Sequence, residues 1–191
     1  MLLLLSALLA APLPALAPVP QADSVKTVNG VNLPLTVNVG GQTLHLNGAA
    51  LRKKAIFKVY VAALYVATKS NDASAILAED APRRMEMHFL RDVDKKKICD
   101  AWADGLKDNT PDASAEVKQQ FTRLCDLMDD IKDDQAFVFT YVPGEGTTIS
   151  VAGNAKGKIG DKAFSDAMLR TWIGPKPGPG DGFKKNLLGK S

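Results

Sequence analysis

From Val25 to Asn47, apolar and polar positions alternate in short runs, interrupted at Asn29-Gly30 and Gly40-Gly41. A period of two puts alternate side chains on opposite faces of a strand, and Asn-Gly and Gly-Gly supply the backbone freedom that tight hairpin turns need. The segment therefore predicts short strands joined by hairpins. Leu35, Val37 and Val39 share one face, and Leu44 and Leu46 alternate with His45, which the pattern places in solvent. Phe57 to Ala67 is different. Val59, Val61, Ala63 and Tyr65 fall on one face, while Tyr60, Ala62, Leu64 and Val66 fall on the other. A strand apolar on both faces belongs at the centre of a sheet covered on both sides.

Beyond it, Ala73 to Glu79 predicts a short helix. Arg84 to Phe89 alternates Met85, Met87 and Phe89 with Arg84, Glu86 and His88, a half-buried strand. The period then lengthens. Ile98, Ala101, Trp102 and Leu106 form a helical stripe behind Asp94 as cap. Thr110-Pro111 predicts the start of a second helix, with Val117, Phe121, Leu124 and Met128 facing inward. Trp102 and Met128 are assigned to the core rather than to a ligand. Ala136 to Val142 and Thr147 to Val151 flank the turn Pro143-Gly-Glu-Gly146, and Lys156 to Gly160 adds an edge strand. Asp161 caps a helix whose inner face is Phe164, Ala167, Met168, Thr171 and Trp172, and Gly174-Pro175 stops it. The Pro/Gly stretch 175–182 is expected on the surface, followed by a short segment from Phe183 to Leu188. The order predicts an α+β fold, a mostly antiparallel sheet with helices packed on one face.

The chain has 191 residues, 46% of them hydrophobic, enough for one domain with a substantial core. Leu2 to Ala11 is nearly all Leu and Ala, Pro12 and Pro14 break it, and Ala15-Leu-Ala17 offers small residues at peptidase spacing. The apolar run is about half the ~20 residues a spanning helix needs. Residues 1–22 are therefore read as a signal peptide and 23–191 as a single domain, periplasmic or secreted, with no integral membrane span. Residues 18–25 are read as a lead-in without regular structure. The net charge of +3, with no basic stretch interleaved with stacking aromatics, gives no argument for nucleic acid.

Cys99 and Cys125 are expected as buried thiols on helices; in an oxidising compartment they could pair instead. They are too few for a metal site, and neither histidine has a ligand-spaced neighbour. The acidic run Asp126, Asp129, Asp130, Asp133 and Asp134 lacks the alternating ligands and central glycine of a calcium loop, and is read as a solvated helix end. No phosphate loop, dinucleotide fingerprint or nucleophile elbow occurs, so no cofactor is expected.

Three polar residues stand out against apolar surroundings. Arg52 on its own reads as a surface residue, like Lys53 and Lys54 beside it. Turned into a cavity, its guanidinium could grip a carboxylate or phenolate with two parallel hydrogen bonds, and Tyr60 could donate to the same anion. In a straight strand the two would stand about 26 Å apart, so sharing a ligand head requires a turn near Lys53-Lys54-Ala55. Thr171 lies on an apolar helical stripe. Its hydroxyl either bonds a carbonyl four residues back in its own helix or faces a cavity.

Leu51-Arg52-Lys-Lys-Ala-Ile-Phe-Lys-Val-Tyr60-Val-Ala-Ala-Leu-Tyr65, His88-Phe-Leu-Arg-Asp-Val-Asp94, Phe164-Ser-Asp-Ala-Met-Leu-Arg-Thr171-Trp-Ile-Gly174 and the closing Leu187-Leu-Gly189 resemble the bacterial chalcone isomerase-like proteins, from about Gly30 to Gly189. The resemblance implies an open-faced sandwich, with an apolar cleft between the sheet and its helices. It implies two activities: plant enzymes of this type close a chalcone into a flavanone, and non-enzymatic relatives hold a fatty acid by an arginine and a tyrosine. Arg52 matches the arginine of both branches, Tyr60 the tyrosine of the fatty-acid binders, and Thr171 the hydroxyl position on the late helix. The enzymes also use a tyrosine and an asparagine where this chain reads Asp94 to Ala103, which contains neither. The expectation is thus binding of a fatty acid or similar amphipathic carboxylate, with Arg52, Tyr60 and Thr171 as ligand-binding residues. The alternatives are an isomerase or intramolecular lyase acting on a conjugated, flavonoid-like ketone through Arg52 and Thr171, and a structural or partner-binding envelope protein.

Overall fold

The structure is a computed structural model that describes residues 24–190. The signal-peptide reading of residues 1–22 lies outside the described residues, as does most of the lead-in. Strands β1 (Val25–Val28) and β2 (Val31–Pro34) form a hairpin of their own, turning at Asn29-Gly30. Seven further strands pair antiparallel in chain order: β3 (Thr36–Val39), β4 (Gln42–Lys54), β5 (Phe57–Val66), β6 (Arg83–Phe89), β7 (Ala136–Val142), β8 (Gly146–Val151) and β9 (Asn154–Ile159). Helix α1 (Ala73–Ala78) links β5 to β6. Helices α2 (Lys95–Asn109) and α3 (Ala115–Leu127) are inserted between β6 and β7, and α4 (Lys162–Ile173) and α5 (Asp181–Leu187) follow the sheet.

From Tyr60 onward the two faces of β5 divide the core as the sequence predicts; Val59, expected on the face of Val61, packs instead on the helix side, where the register against β4 slips between Arg52 and Lys53. Tyr60, Ala62, Leu64 and Val66 join the main cluster beneath the helices. Val61, Ala63 and Tyr65 pack with Leu33, Leu44 and Leu46 in a second cluster on the opposite face, covered by the β1–β2 hairpin. His45 is exposed, as expected.

The helix stripes follow from the same bookkeeping of faces. Ile98, Trp102 and Leu106 of α2, and Val117, Phe121 and Leu124 of α3, are buried. Asp161 accepts a bond from the Ala163 amide (2.9 Å) and so caps α4. One expectation about helix starts fails and another holds in position only. Thr110 does not begin the second helix: it is the C-cap of α2, and α3 starts after Ser114, whose hydroxyl accepts from the Val117 amide at 3.2 Å. A serine with a free amide three residues on is the better cap, and Pro111 serves the intervening turn. Asp94 stands at the N-cap of α2, but its carboxylate pairs with Lys97 instead of a helix amide.

A further correction concerns the cysteines. Cys99 and Cys125 are joined, with a Cα–Cα separation of 5.7 Å, and they fasten α2 to α3. Sequence gives helical positions but not the crossing of two helices, which sets that distance. The acidic run is exposed as expected, with Asp129 paired to Lys156 and Asp130 accepting the Lys95 amide at 2.8 Å.

Alternation on β6 conceals two buried charges. Arg83 is only 5% exposed and meets Ser165 (2.8 Å) and Asp166 of α4, tying the sheet to that helix. Glu86, read as an outer polar residue, is 6% exposed, lying 2.6 Å from Arg84 and 2.8 Å from His88. Burial alone would raise its pKa, but the His88 bond and the Arg84 charge outweigh it and hold the carboxyl below its usual range.

Candidate functional site

The turn at Ala55-Ile56 meets the condition the sequence set for Arg52 and Tyr60. Ala55 adopts a positive φ of 52°, β4 reverses into β5, and Arg52 and Tyr60 become direct partners across the pair. Directly opposed residues project to the same face. Here it is the helix face, since Tyr60 belongs to the main core cluster.

Both residues line a cleft of about 660 Å³ between sheet and helices, within the roughly 300–1,000 Å³ of small-molecule sites. Val59 and Tyr60 of β5 and Met87 and Phe89 of β6 form one wall. Ile98, Ala101, Trp102 and Gly105 of α2 form another, with Thr171 and Trp172 of α4 between them and Gly178-Pro179 at the edge. Trp102 is thus both core and cleft wall, whereas Met128 is core alone. α2 and α4 approach closely at Gly105, where a Cβ would come within 2.8 Å of Thr171 Cβ, and both residues line the cleft.

Tyr60 is 8% exposed, and its ring packs against Phe89 and Phe183 at 5.4 and 6.0 Å between centroids. Its hydroxyl accepts a hydrogen bond from Trp172 Nε1 at 3.2 Å, which leaves the phenol proton free to donate. Burial pushes its pKa up to about 12; the Trp172 bond and the Arg52 charge pull only weakly the other way. Tyr60 is therefore a neutral donor across the physiological range. Among the described residues Arg52 makes no side-chain hydrogen bond or ion pair, so its guanidinium is uncommitted. Thr171 also lines the cleft, but its hydroxyl donates to the Met168 carbonyl at 2.8 Å, one residue nearer than the sequence suggested.

The mouth carries both signs of charge. Arg52 and Lys54 of β4 and Arg91, just past β6, contribute cations, with Asp92 beside them paired to Lys132. On α2, Asp100, Asp104 and Asp108 contribute carboxylates and Lys97 a cation; Asp100 is paired with Lys96 and Lys97 with Asp94. Among the described residues the mouth is therefore divided only in its unpaired charges, Arg52, Lys54 and Arg91 against Asp104 and Asp108. Trp172, Phe57 and Arg91 are the site residues that sequence reasoning missed. Trp172 was visible only as a stripe residue. Phe57 and Arg91 meet across the sheet, the guanidinium 4.6 Å from the ring centroid, a contact that depends on how the ends of β5 and β6 lie side by side.

A family model described as chalcone isomerase-like matches residues 25–189. Among solved structures, the crystal structure of a fatty-acid binding protein from Arabidopsis thaliana is similar in fold, with a TM-score of 0.67. It shares 15% identity, and the alignment covers 87% of this chain and 95% of that one. A search of curated proteins finds no match.

Proposed function

The chain belongs to the chalcone isomerase-like family, and we propose that its cleft binds a fatty acid or a similar amphipathic carboxylate. The observation that carries this reading is the uncommitted Arg52 guanidinium beside Tyr60, where a charged mouth meets the apolar inner walls of the cleft. A carboxylate there would take charge-assisted bonds from the arginine and one from the phenol. The divided mouth draws an anionic head toward the strand side and away from the α2 aspartates, leaving the aromatic and aliphatic interior to the tail. The neighbouring fold being that of a fatty-acid binding protein supports the same ligand class.

The isomerase reading has less support. The Thr171 proton is taken by the Met168 carbonyl and is not offered to a ketone. The α2 segment that lines the cleft presents Ile98, Ala101 and Trp102 where a ketone-polarising network would need hydroxyl and amide groups. The Cys99–Cys125 disulfide supports a secreted or periplasmic location.

Organic extraction of the gently purified protein, followed by mass spectrometry, tests the proposal. Fatty acids in stoichiometric amount are expected. An extract free of lipid, together with accelerated loss of a chalcone's absorbance on adding protein, would replace binding with isomerisation.

A further inference from the structure

The tip of the β4–β5 hairpin has a composition that the fold does not require. Ile56 is 87% exposed and Phe57 53% exposed, adjacent at the turn. They are flanked by Lys53, Lys54 and Lys58, and Arg91 lies against the Phe57 ring. Lys53 and Lys58 are direct partners across the hairpin, a like-charge pairing that disfavours the strand pair. Among the described residues none of Lys53, Lys54, Lys58 or Arg91 enters an ion pair, although Asp92 lies close enough to feel the Arg91 charge. Asp92, the nearest acid in sequence to Arg91, is paired with Lys132 and accepts the Asp133 amide.

From these features we infer that the tip docks onto an anionic lipid bilayer. Two large apolar side chains at the apex of a turn can enter the acyl boundary, while the surrounding ammonium and guanidinium groups meet lipid phosphates, with the lysine stems lying along the apolar surface. A second copy of the tip fits poorly, because it would bring the same unpaired cations together. Lys54, Phe57 and Arg91 also line the cleft, so a docked tip sets the cleft mouth against the membrane. That last consequence rests on the carboxylate reading; the docking surface itself stands on the exposure and charge of the tip.

The test uses the full chain carrying Ile56→Trp as a reporter, its emission taken as the difference from wild type, which carries the buried Trp102 and Trp172, mixed with vesicles of phosphatidylcholine alone or with phosphatidylglycerol, each containing a brominated lipid quencher. The reporter's emission is expected to shift to shorter wavelength and be quenched on the phosphatidylglycerol vesicles, and raised salt should reverse this. Lys53→Ala with Lys58→Ala should weaken vesicle affinity by about fivefold per lysine. Reporter emission that stays water-like on anionic vesicles, or a shift that appears only through protein association without vesicles, would overturn the proposal. Laurate titration in solution separates the two claims. Ile56 and the two lysines do not line the cleft, so their variants should bind laurate normally, whereas Arg52→Ala should lose laurate and still dock. Docking without laurate binding in the wild type would uphold the surface and sink the cleft reading.

Discussion

At the scale of single residues, the cleft depends on polar groups held in an apolar wall. Tyr60 accepts from Trp172 and keeps its own proton. Tyr60→Phe would strand the buried indole N–H, a cost of about 1–3 kcal/mol, and would remove one of two donors to the proposed head group. Chemical denaturation should therefore show lower stability, and laurate titration a weaker affinity. An unchanged denaturation midpoint would mean that the indole finds another acceptor. In the sequence Arg52 on its own reads as a surface residue, and the family resemblance sets it beside Tyr60 as a ligand-binding residue; the cross-strand pairing of the two depends on the turn at Ala55-Ile56. Trp172 was not legible, because a tryptophan on a helical stripe looks the same whether its N–H has a partner or not. Arg83 and Glu86 were hidden for a related reason: alternation reports faces of a strand, not what lies on them, and Asp166 arrives from α4, far along the chain.

At the scale of elements, α2 forms one side of the cleft and is held in place at two points. Close packing on Thr171 depends on Gly105. In Gly105→Ala the overpacking, about 1–3 kcal/mol, exceeds the helix-propensity gain of about 1 kcal/mol. Thermal unfolding should show a net loss of stability, and a gain would mean that Thr171 yields. The second point is the Cys99–Cys125 link, which closes a loop of sequence separation 26. Chain-entropy arithmetic assigns such a loop about 3.5 kcal/mol. Cys99→Ser with Cys125→Ser should lower the denaturation free energy by up to that amount, and no change would show that packing alone fixes α2 on α3. Strands and helix stripes followed from periodicity, because one residue's position predicts the next. The start of α3 did not, since Thr110-Pro111 and Ser114 are both credible caps and only the length of the connection decides between them. The disulfide was missed for a different reason: whether two helical cysteines meet depends on how the helices cross, which periodicity does not report.

At the scale of the whole molecule, one sheet carries two cores, with Tyr60 in one, Tyr65 in the other, and Tyr141 buried beside Asp80 and Arg83. Burial raises each phenol's pKa. Glu86 adds to the effect at Tyr65 and Asp80, at 2.7 Å, at Tyr141, while Tyr60 is pushed up to about 12. The unfolded chain releases these protons near pH ~10, whereas the folded chain retains them. Stability is therefore full below that pH and falls as pH rises through the window from about 10 to about 12 for Tyr60, and beyond it for the others. Phenolate absorbance should stay low past pH ~10 and rise together with loss of structure. Ionisation at the ordinary pH with the fold intact would contradict the burial.

The central claim is that an arginine at the end of the cleft grips a carboxylate. Because Arg52 makes no side-chain bond among the described residues, Arg52→Ala should keep the fold, as judged by an unchanged circular dichroism spectrum and melting temperature. Titrating wild type and variant with laurate and with dodecanol isolates the head group, since the two ligands share a tail. The variant should lose about 10- to 100-fold in laurate affinity, the worth of a charged hydrogen bond, with dodecanol affinity unchanged. Equal laurate affinity in the two proteins would contradict the claim.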